Sequence, residues 1–348
     1  MLQSHLLHDT VQLAASDQVL VLNSAADPFV PLAIQHLTTG MITLAEDNIA
    51  TVQHVMERLS PAQRVHVEHV AFHDYTLRHA ADTMDIAVLN LLYQPSNAWM
   101  LYGIGLARYA LRPGGQLYVT GAKERGILTM AKRIQDYFTA VETLTISKGH
   151  RVLRARKRAS SIQNDEQPGA ENVMAQNPPL SLFATSKLDE GTRLLLEALE
   201  VHAADHALDL GCGAGFVGLH IARLADKGQV TMVDASLAAV ATSRQAVEQS
   251  GLTNVRVLAS DGAQAVLGQR FDLVATNPPF HQGGIQTTEI AERFIQGAAT
   301  VLQPGGNFYL VANRFLKYEP TLQRCFKEAV EVAGNTRYKV LRASGPLI

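Results

Sequence analysis

The chain has 348 residues, of which 47% are hydrophobic and 18% are charged, and its formal net charge at pH 7 is −2. This composition excludes an intrinsically disordered chain, which would have few apolar residues and a high net charge. No apolar run approaches the roughly 18 residues of a membrane span, and the first residues lack the pattern of a secretion signal. The sequence therefore predicts a cytoplasmic protein with room for two domains of about 150 residues each.

The first half contains an apolar strand that leads into a turn without glycine. Residues 19–29 read Val-Leu-Val-Leu-Asn-Ser-Ala-Ala-Asp-Pro-Phe. A turn that passes close beneath a ligand normally uses glycine, which tolerates positive φ and has no side chain. Because Pro28 and the side chains of Asn23 and Asp27 would obstruct that approach, we expect no cofactor in this half.

Histidine and cysteine are residue types of this chain that could form metal or disulfide sites. Four histidines lie close together in the first half: His66, His69, His73 and His79. The alternating pattern around them would direct His66 and His69 to opposite faces of a strand, and no cysteine lies nearby, so we predict no metal site. Cys212 and Cys325 are expected to be small core residues rather than a disulfide.

Positive charge is concentrated just before the middle of the chain. The cationic residues are Arg151, Arg154, Arg156, Lys157 and Arg158. Such a cluster can attract a phosphate backbone even in a nearly neutral protein, and a solvated strand end is an equally good interpretation. Residues 159–179 follow, polar and without a helix or strand period, and we interpret them as an interdomain linker.

The second half contains an apolar strand that leads into a glycine-rich turn. Residues 207–218 read Ala-Leu-Asp-Leu-Gly-Cys-Gly-Ala-Gly-Phe-Val-Gly. Gly211, Gly213 and Gly215 predict a close approach to a cofactor, although the spacing also satisfies the dinucleotide fingerprint. Asp209 favours S-adenosylmethionine, because a carboxylate there can pair with the ammonium group that a dinucleotide lacks.

Three further strands of the second half end in polar residues, Asp234, Asp261 and Asn277. Because the carboxyl ends of parallel strands line the ligand crevice of an open sheet, we expect these residues to converge on one site. Asp234 could accept hydrogen bonds from both ribose hydroxyls of a nucleotide cofactor. Asp261 could accept one from the adenine amino group.

The segment Asn277-Pro278-Pro279-Phe280 is typical of enzymes that methylate a planar nitrogen. The Asn277 side-chain oxygen and the Pro278 carbonyl could accept hydrogen bonds from an amino group and aim its lone pair. The prolines would fix the loop while Phe280 stacks on the substrate, and the neighbouring His281 could touch it. The simpler interpretation is a proline-rich turn, but the predicted cofactor crevice favours catalytic roles for Asn277, Pro278 and Phe280.

The first half repeats the second half with its chemistry missing. Three pairs of segments occur in the same order: Pro113-Gly-Gly and Pro304-Gly-Gly, Arg151-Val-Leu-Arg-Ala and Lys339-Val-Leu-Arg-Ala, and residues 85–93 and 272–280. Within the last pair, Leu91 and Leu92 stand where the later copy has its two prolines. The sequence therefore predicts an internal duplication with an eroded first copy.

These motifs resemble the class I S-adenosylmethionine-dependent methyltransferases, and within them the RsmC type of ribosomal RNA guanine-N2 methyltransferases. Residues 182–196, before the first strand, and residues 311–318, near the end, are also similar to that family, and His281 fits its pattern. The resemblance covers residues 180–346 closely and, with the duplication, nearly the whole chain.

The resemblance implies an α/β fold of two tandem Rossmann-like class I methyltransferase domains, of which the N-terminal copy is degenerate. The expected divisions are a first domain at 1–158 for RNA recognition or structural support, a linker at 159–179 and a catalytic domain at 180–348. Phe183 and Lys187 are weaker candidates for covering the site or contacting phosphate. Weaker candidates for binding RNA are Arg154, Arg156 and Arg158.

The implied reaction is methyl transfer from S-adenosylmethionine to the N2 amine of a guanine in ribosomal RNA. Small-subunit RNA is preferred to large-subunit RNA, the expected partner is this RNA or the small ribosomal subunit, and a monomer is the favoured state. The alternatives are methyltransferases of protein glutamine or DNA adenine, a catalytically inactive RNA-binding scaffold and a nicotinamide oxidoreductase. The glutamine enzymes usually carry Tyr where this chain has Phe280, and an oxidoreductase would leave Asn277 to Phe280 unexplained.

Overall fold

The computed structural model describes residues 2–158, 180, 188–279, 281–282, 285–286 and 288–347. The chain divides into two compact units, Met1–Leu182 and Phe183–Ile348. Among the described residues, no helix has the length and apolarity needed to cross a membrane.

The first unit is a seven-stranded sheet with helices between its parallel strands. Its strands are β1 (Gln18–Leu22), β2 (Met41–Ala45), β3 (Val67–Val70), β4 (Met84–Asn90), β5 (Leu111–Ala122), β6 (Thr139–Ser147) and β7 (His150–Arg156). Its α-helices are α1 (Leu2–Thr10), α2 (Phe29–His36), α3 (Ile49–Arg58), α4 (Pro61–Arg64), α5 (Tyr75–Arg78), α6 (Asn97–Ala110) and α7 (Ile127–Gln135). The strand order is β3-β2-β1-β4-β5-β7-β6, and β7 pairs antiparallel with both of its neighbours.

The second unit has a sheet of the same size. Its strands are β8 (His206–Leu210), β9 (Gln229–Asp234), β10 (Val255–Ala259), β11 (Phe271–Thr276), β14 (Leu302–Asn313), β15 (Phe326–Gly334) and β16 (Tyr338–Pro346), with a separate pair β12 (His281–Gln282) and β13 (Ile285–Gln286). Its α-helices are α8 (Glu190–Ala198), α9 (Phe216–Leu224), α10 (Leu237–Ser250), α11 (Glu289–Val301) and α12 (Glu319–Cys325). The order β10-β9-β8-β11-β14-β16-β15 repeats that of the first unit strand for strand.

The central strands of the second unit are buried on both faces. Leu208 and Val274 belong to one core cluster, whereas their sequence neighbours Ala207, Leu273 and Ala275 belong to another. Because successive strand residues point to opposite faces, the two clusters lie on the two sides of the sheet. Strands covered by helices on both sides read as continuous apolar runs, which explains the absence of polar alternation in this sequence.

The duplication extends to individual hydrogen bonds. Asp85 accepts from the backbone N–H of Gln18 at 2.7 Å, and Asp272 accepts from the N–H of His206 at 2.8 Å. Each carboxylate stands on the fourth strand of its unit and holds the start of the central strand. The expected fold class, two tandem Rossmann-like domains with a degenerate first copy, is confirmed.

The first unit keeps a carboxylate at the end of its second strand. Glu46 accepts from the backbone N–H groups of Ala25 at 2.9 Å and Asn48 at 3.1 Å. In the second unit Asp234 accepts from the equivalent positions, and both distances are 2.9 Å. Burial raises the pKa of Glu46 to about 7. The first unit therefore keeps the same carboxylate contacts at the end of its second strand although its turn contains no glycine.

Side chains of the first unit tie its strand ends together. The Asn90 amide donates to Asp27 at 2.5 Å and accepts from Gln3 at 2.8 Å. Gln94 Nε2 donates to the carbonyl oxygens of Asn23 at 3.0 Å and Asn90 at 3.1 Å. Asn23 takes the position of Gly211 and, with a φ of 43°, keeps the left-handed turn. In the degenerate copy, side chains of the same unit therefore occupy the space at the strand ends and satisfy the polar groups there.

We predict that Asp27→Ala destabilises the first unit. Asp27 is the acceptor for the buried Asn90 amide, the Ser4 hydroxyl and the Phe29 N–H. Leaving these donors unsatisfied should lower the free energy of unfolding by on the order of 3 kcal/mol. Urea denaturation followed by the fluorescence of Trp99, the single tryptophan and a residue of this unit, measures the effect.

Asp9→Ala is the control for this prediction, because its carboxylate is exposed and its loss should change stability by less than about 0.5 kcal/mol. Equal midpoints for the Asp27 and Asp9 variants would contradict a structural role for the buried network.

Candidate active site

The turn after β8 depends on glycine. Gly211, Gly213 and Gly215 have φ values of 80°, 54° and 89°, a region that side-chain-bearing residues rarely adopt. A Cβ atom on Gly211 would lie 2.8 Å from the Phe294 ring, and one on Gly218 would lie 2.5 Å from Met232. The backbone therefore bends tightly at the strand end and packs closely on the structure beneath it.

Asp234 connects this turn to the next helix. One of its carboxylate oxygens accepts from the N–H of Gly213 at 2.9 Å and the other from the N–H of Ser236, the N-cap of α10, at 2.9 Å. Burial raises its pKa. Each carboxylate oxygen has further acceptor capacity, so hydrogen bonds from two vicinal hydroxyls remain compatible with this geometry.

Asp209 lies beneath the glycine turn. It is 1% exposed and accepts from the N–H of Gly218 at 2.7 Å, which anchors the start of α9. Burial raises the pKa of Asp209 to about 7, and the neighbouring charge of Asp234 acts in the same direction. A cation bound nearby would stabilise the ionised form of Asp209, and the neighbouring carboxylate of Asp234 also favours a cation at this position. Pairing of Asp209 with an ammonium group stays a prediction.

Asp261, after β10, forms an ion pair with Arg293 of α11, a contact that the sequence did not suggest. The next residue of that helix, Phe294, lies under both neighbouring loops: its ring is 2.8 Å from the Cβ position of Gly211 and 3.8 Å from that of Gly262. Arg293 and Phe294 thus join the loop that carries Asp261 to the glycine turn. Binding of an adenine amino group by Asp261 stays a prediction.

Asn277, after β11, has a side-chain amide of fixed orientation. Its Nδ2 donates to Thr192 Oγ1 at 2.8 Å and is 3.4 Å from Asp189 Oδ2. Asp189 is also the N-cap of α8 and accepts from the Thr192 N–H at 2.6 Å. Because these two residues engage the NH₂ group, Oδ1 is the amide atom that Asn277 can offer to a substrate amine.

The four strand ends are neighbours. The sheet order places β10, β9, β8 and β11 side by side and parallel, so Asp261, Asp234, the glycine turn and Asn277 lie along one edge. Pro278 is buried directly after Asn277. This row of carboxylates, tight backbone and an oriented amide fits a nucleotide-like cofactor beside an amine-binding asparagine.

The structure does not describe several of the predicted site residues, or describes only their backbone. Phe280, Phe183, Lys187 and the linker at 159–179 lie outside the described residues, and of His281 only the backbone is described, paired with Gln286.

In the first unit, the basic cluster is partly neutralised by ion pairs. Arg154 pairs with Glu142 at 2.6 Å, and Lys157 pairs with Asp82. Arg156 and Arg158 are exposed, and the part of the chain that the structure describes gives them no ion-pair partner. These two are therefore the more accessible cations of the predicted patch, and their RNA-binding role stays a prediction.

Within the described ranges, no group of three or more His, Cys, Asp or Glu side chains could hold a metal ion. The predicted histidine cluster makes other contacts: His69 lies 3.0 Å from the Glu46 carbonyl oxygen and His79 lies 3.1 Å from Glu68. Cys212 and Cys325 are both free and buried. Burial raises the pKa of the Cys212 thiol well above its usual value, which disfavours the reactive thiolate form.

The chain is similar to a family of known methyltransferases. Residues 173–342 match the model of the Methyltransferase small domain. The chain is 30% identical to ribosomal RNA small subunit methyltransferase C of Shewanella loihica over 338 residues, 95% of each chain. It is 32% identical to the protein of the same name from Pseudomonas entomophila, over 75% of this chain and 79% of the relative.

A solved structure is similar over the whole chain. It is the T. thermophilus 16S rRNA N2 G1207 methyltransferase (RsmC) in complex with AdoMet and guanosine. The two are 28% identical with a TM-score of 0.78, and the match covers 99% of this chain and 92% of the other.

We predict that the affinity for S-adenosylmethionine rises with pH below pH 7. The pKa of Asp209 is about 7 in the free protein, so at lower pH the carboxyl is mostly neutral. Pairing with an ammonium group requires the ionised form, so binding at lower pH must also release a proton. The affinity should therefore rise by up to about tenfold per pH unit towards pH 7 and then level off.

Calorimetric titration of the cofactor at several pH values between about 5 and 7 measures this slope, and Asp209→Asn is the control because it cannot ionise. A slope of the same size in the variant would contradict the predicted role of Asp209.

Proposed function

The chain belongs to the ribosomal RNA small subunit methyltransferase C family, and we propose on that premise that it methylates the N2 amine of a guanine in 16S ribosomal RNA. S-adenosylmethionine is the methyl donor. The single observation that carries the proposal is the fixed amide of Asn277, which stands at the end of β11 beside the glycine turn. The bound AdoMet and guanosine of the T. thermophilus relative support this choice of cofactor and base.

The observed residues suit this cofactor. The tight turn at Gly211, Gly213 and Gly215 would pass beneath it, Asp234 would accept from its ribose hydroxyls, and Asp209 would face its ammonium group. When bound, S-adenosylmethionine supplies an electrophilic methyl group on a sulfonium, whose thioether is the leaving group. Asp261 would accept from the adenine amino group through the oxygen that Arg293 does not hold.

The protein groups orient the attacking amine. Asn277 Oδ1 and the Pro278 carbonyl oxygen would accept hydrogen bonds from the two N–H groups of guanine N2. These bonds would localise the nitrogen lone pair and direct it at the methyl carbon, in line with the bond to sulfur. Phe280 would stack on the base, and His281, Phe183 and Lys187 could contact the RNA. Removing the guanine from its RNA stack costs a few kcal/mol, which such stacking offsets. After transfer, the amine would lose its proton to solvent.

The two domains of the chain would have different roles. The first domain, at 1–158, would provide structural support or RNA recognition, and Arg154, Arg156 and Arg158 are its candidate RNA contacts. Residues 159–179 would link it to the catalytic domain at 180–348. Ribosomal RNA or the small ribosomal subunit is the proposed partner, the cytoplasm is the proposed location and a monomer is the proposed state.

Transfer of radiolabelled methyl groups to ribosomal RNA and to subunits from cells without this protein tests the function. Nucleoside analysis should find the label in N2-methylguanosine of 16S RNA. Label in a release-factor protein would favour the glutamine methyltransferase, and cofactor binding without transfer to any RNA would favour the inactive scaffold.

Asn277→Ala should abolish turnover, because it removes the acceptor that orients the amine. Affinity for S-adenosylmethionine should stay within a few-fold of the original value. Steady-state methylation and cofactor titration check these outcomes. Asn307→Ala, in the middle of β14 opposite Leu273 and away from the strand ends that line the crevice, should leave both quantities unchanged. Substantial turnover by the Asn277 variant would contradict the assignment.

Thr192→Val should lower kcat by roughly three- to tenfold, the effect of losing one ordinary hydrogen bond, while the KM for the cofactor is unchanged. Valine fills the buried space of threonine but cannot accept from Asn277 Nδ2, so the amide would lose its fixed orientation. Thr192→Ser, which keeps the hydroxyl, should retain the original kcat. The hypothesis is wrong if valine and serine variants turn over at the same rate.

A further inference from the structure

A surface cavity of about 500 Å³ lies in the second unit, between the end of β14 and the turn that joins β15 to β16. The residues that line it are Asn313, Arg314, Phe315, Thr336 and Arg337. Phe315 is 61% exposed, unusual for so large an apolar ring. The cavity is therefore an aromatic and cationic surface whose residues have no role in the core or in the proposed methyl transfer.

A short series of contacts joins this cavity to the proposed catalytic asparagine. Arg337 donates to Glu190 Oε2 at 3.0 Å, and Asn335 donates to Glu190 Oε1 at 3.1 Å. Glu190 is the first residue of α8, and Thr192 in the same helical turn accepts from Asn277. In the sheet, β14 lies directly beside β11, with Leu310 opposite Thr276. The cavity thus opens at the same edge of the sheet as the methylation site.

The two arginines of the cavity have different environments. Arg314 is fully engaged: its guanidinium binds Glu331 at 2.8 and 3.3 Å, and its Nε donates to the Asn335 carbonyl at 2.7 Å. These bonds fix the wall of the cavity. Arg337 uses only Nη1 among the described contacts, and 68% of its side chain is exposed. Since a guanidinium carries five N–H donors, Arg337 retains donors for an anion.

We propose that Phe315 and Arg337 bind the nucleotide next to the target guanine in single-stranded RNA. Phe315 stacks on the base and Arg337 contacts its phosphate. The inference rests on the proposed function, because a guanine extruded for methylation leaves its neighbours unstacked and open to an aromatic ring. An exposed ring beside a cation is the combination by which proteins bind single-stranded nucleic acid, and the cavity is large enough for one nucleotide.

The ion pair between Arg337 and Glu190 does not block this role. Both partners are exposed, and such surface pairs contribute little to stability, so the guanidinium can exchange its partner or bind a phosphate through its other nitrogens. The Arg337 guanidinium also lies 5.6 Å from the centre of the Tyr338 ring, which keeps it at the rim of the cavity when a phosphate replaces the carboxylate.

Binding of a short fluorescent single-stranded RNA that contains one guanine tests the proposal by anisotropy, independently of turnover. Phe315→Ala should weaken binding roughly 5- to 150-fold, the range expected for the loss of one base–aromatic stack, and Phe315→Trp should restore it. Arg337→Ala should weaken binding and reduce its dependence on salt by the equivalent of about one phosphate contact. Affinity for S-adenosylmethionine should be unchanged in all three variants.

Matched controls come from the end of α9, at the opposite edge of the sheet. Leu224→Ala removes an apolar side chain that is 46% exposed, and Arg223→Ala removes an exposed guanidinium. The proposal is wrong if the Phe315 and Arg337 variants bind RNA as tightly as these controls. It is also wrong if the unaltered protein binds no single-stranded RNA. If the Phe315 variant loses binding but the unaltered protein methylates no guanine, the RNA surface stands and the proposed function falls.

Discussion

The turn from Gly211 to Gly215 is the constraint on which the rest of the second unit depends. It bends at the end of the central strand because its glycines adopt positive φ, and Asp234 holds it by accepting the N–H of Gly213. A tight turn at this point leaves the edge of the sheet open to a ligand. The carboxylate of Asp209 is buried beneath this turn and that of Asp234 is partly buried beside it, and desolvation raises the pKa of both groups.

The first unit shows what the same fold does without those glycines. Backbone carbonyls at buried strand ends still need hydrogen-bond partners, and here Gln94 supplies them. Asn90, the counterpart of Asn277, is fully buried and bonded to Asp27, whereas the Asn277 amide donates to Thr192. The first unit therefore satisfies its strand ends with internal contacts while it keeps the sheet order of the second unit, which explains how both copies remain folded.

Local sequence patterns predicted the α/β fold, the glycine turn and the polar residues at the strand ends, because strands and turns are set by neighbouring residues. The repeated Pro-Gly-Gly segments even located corresponding strands in the two units. Contacts between distant segments could not be predicted in this way. The partners of Asn277 at Asp189 and Thr192, and the pairing of Asp261 with Arg293, arise only when helices pack on the sheet. The cavity at Phe315 was also missed, since an exposed ring leaves no periodic pattern.

We propose that this chain, with two copies of one fold, has a single cofactor crevice, in the second unit. Equilibrium dialysis of S-adenosylmethionine against the whole chain tests it most directly. We expect one molecule bound per chain, with binding lost in Asp234→Ala, in which the equivalent residue of the first unit, Glu46, remains in place. Two molecules per chain, or one whose affinity is unaltered by Asp234→Ala, would contradict it.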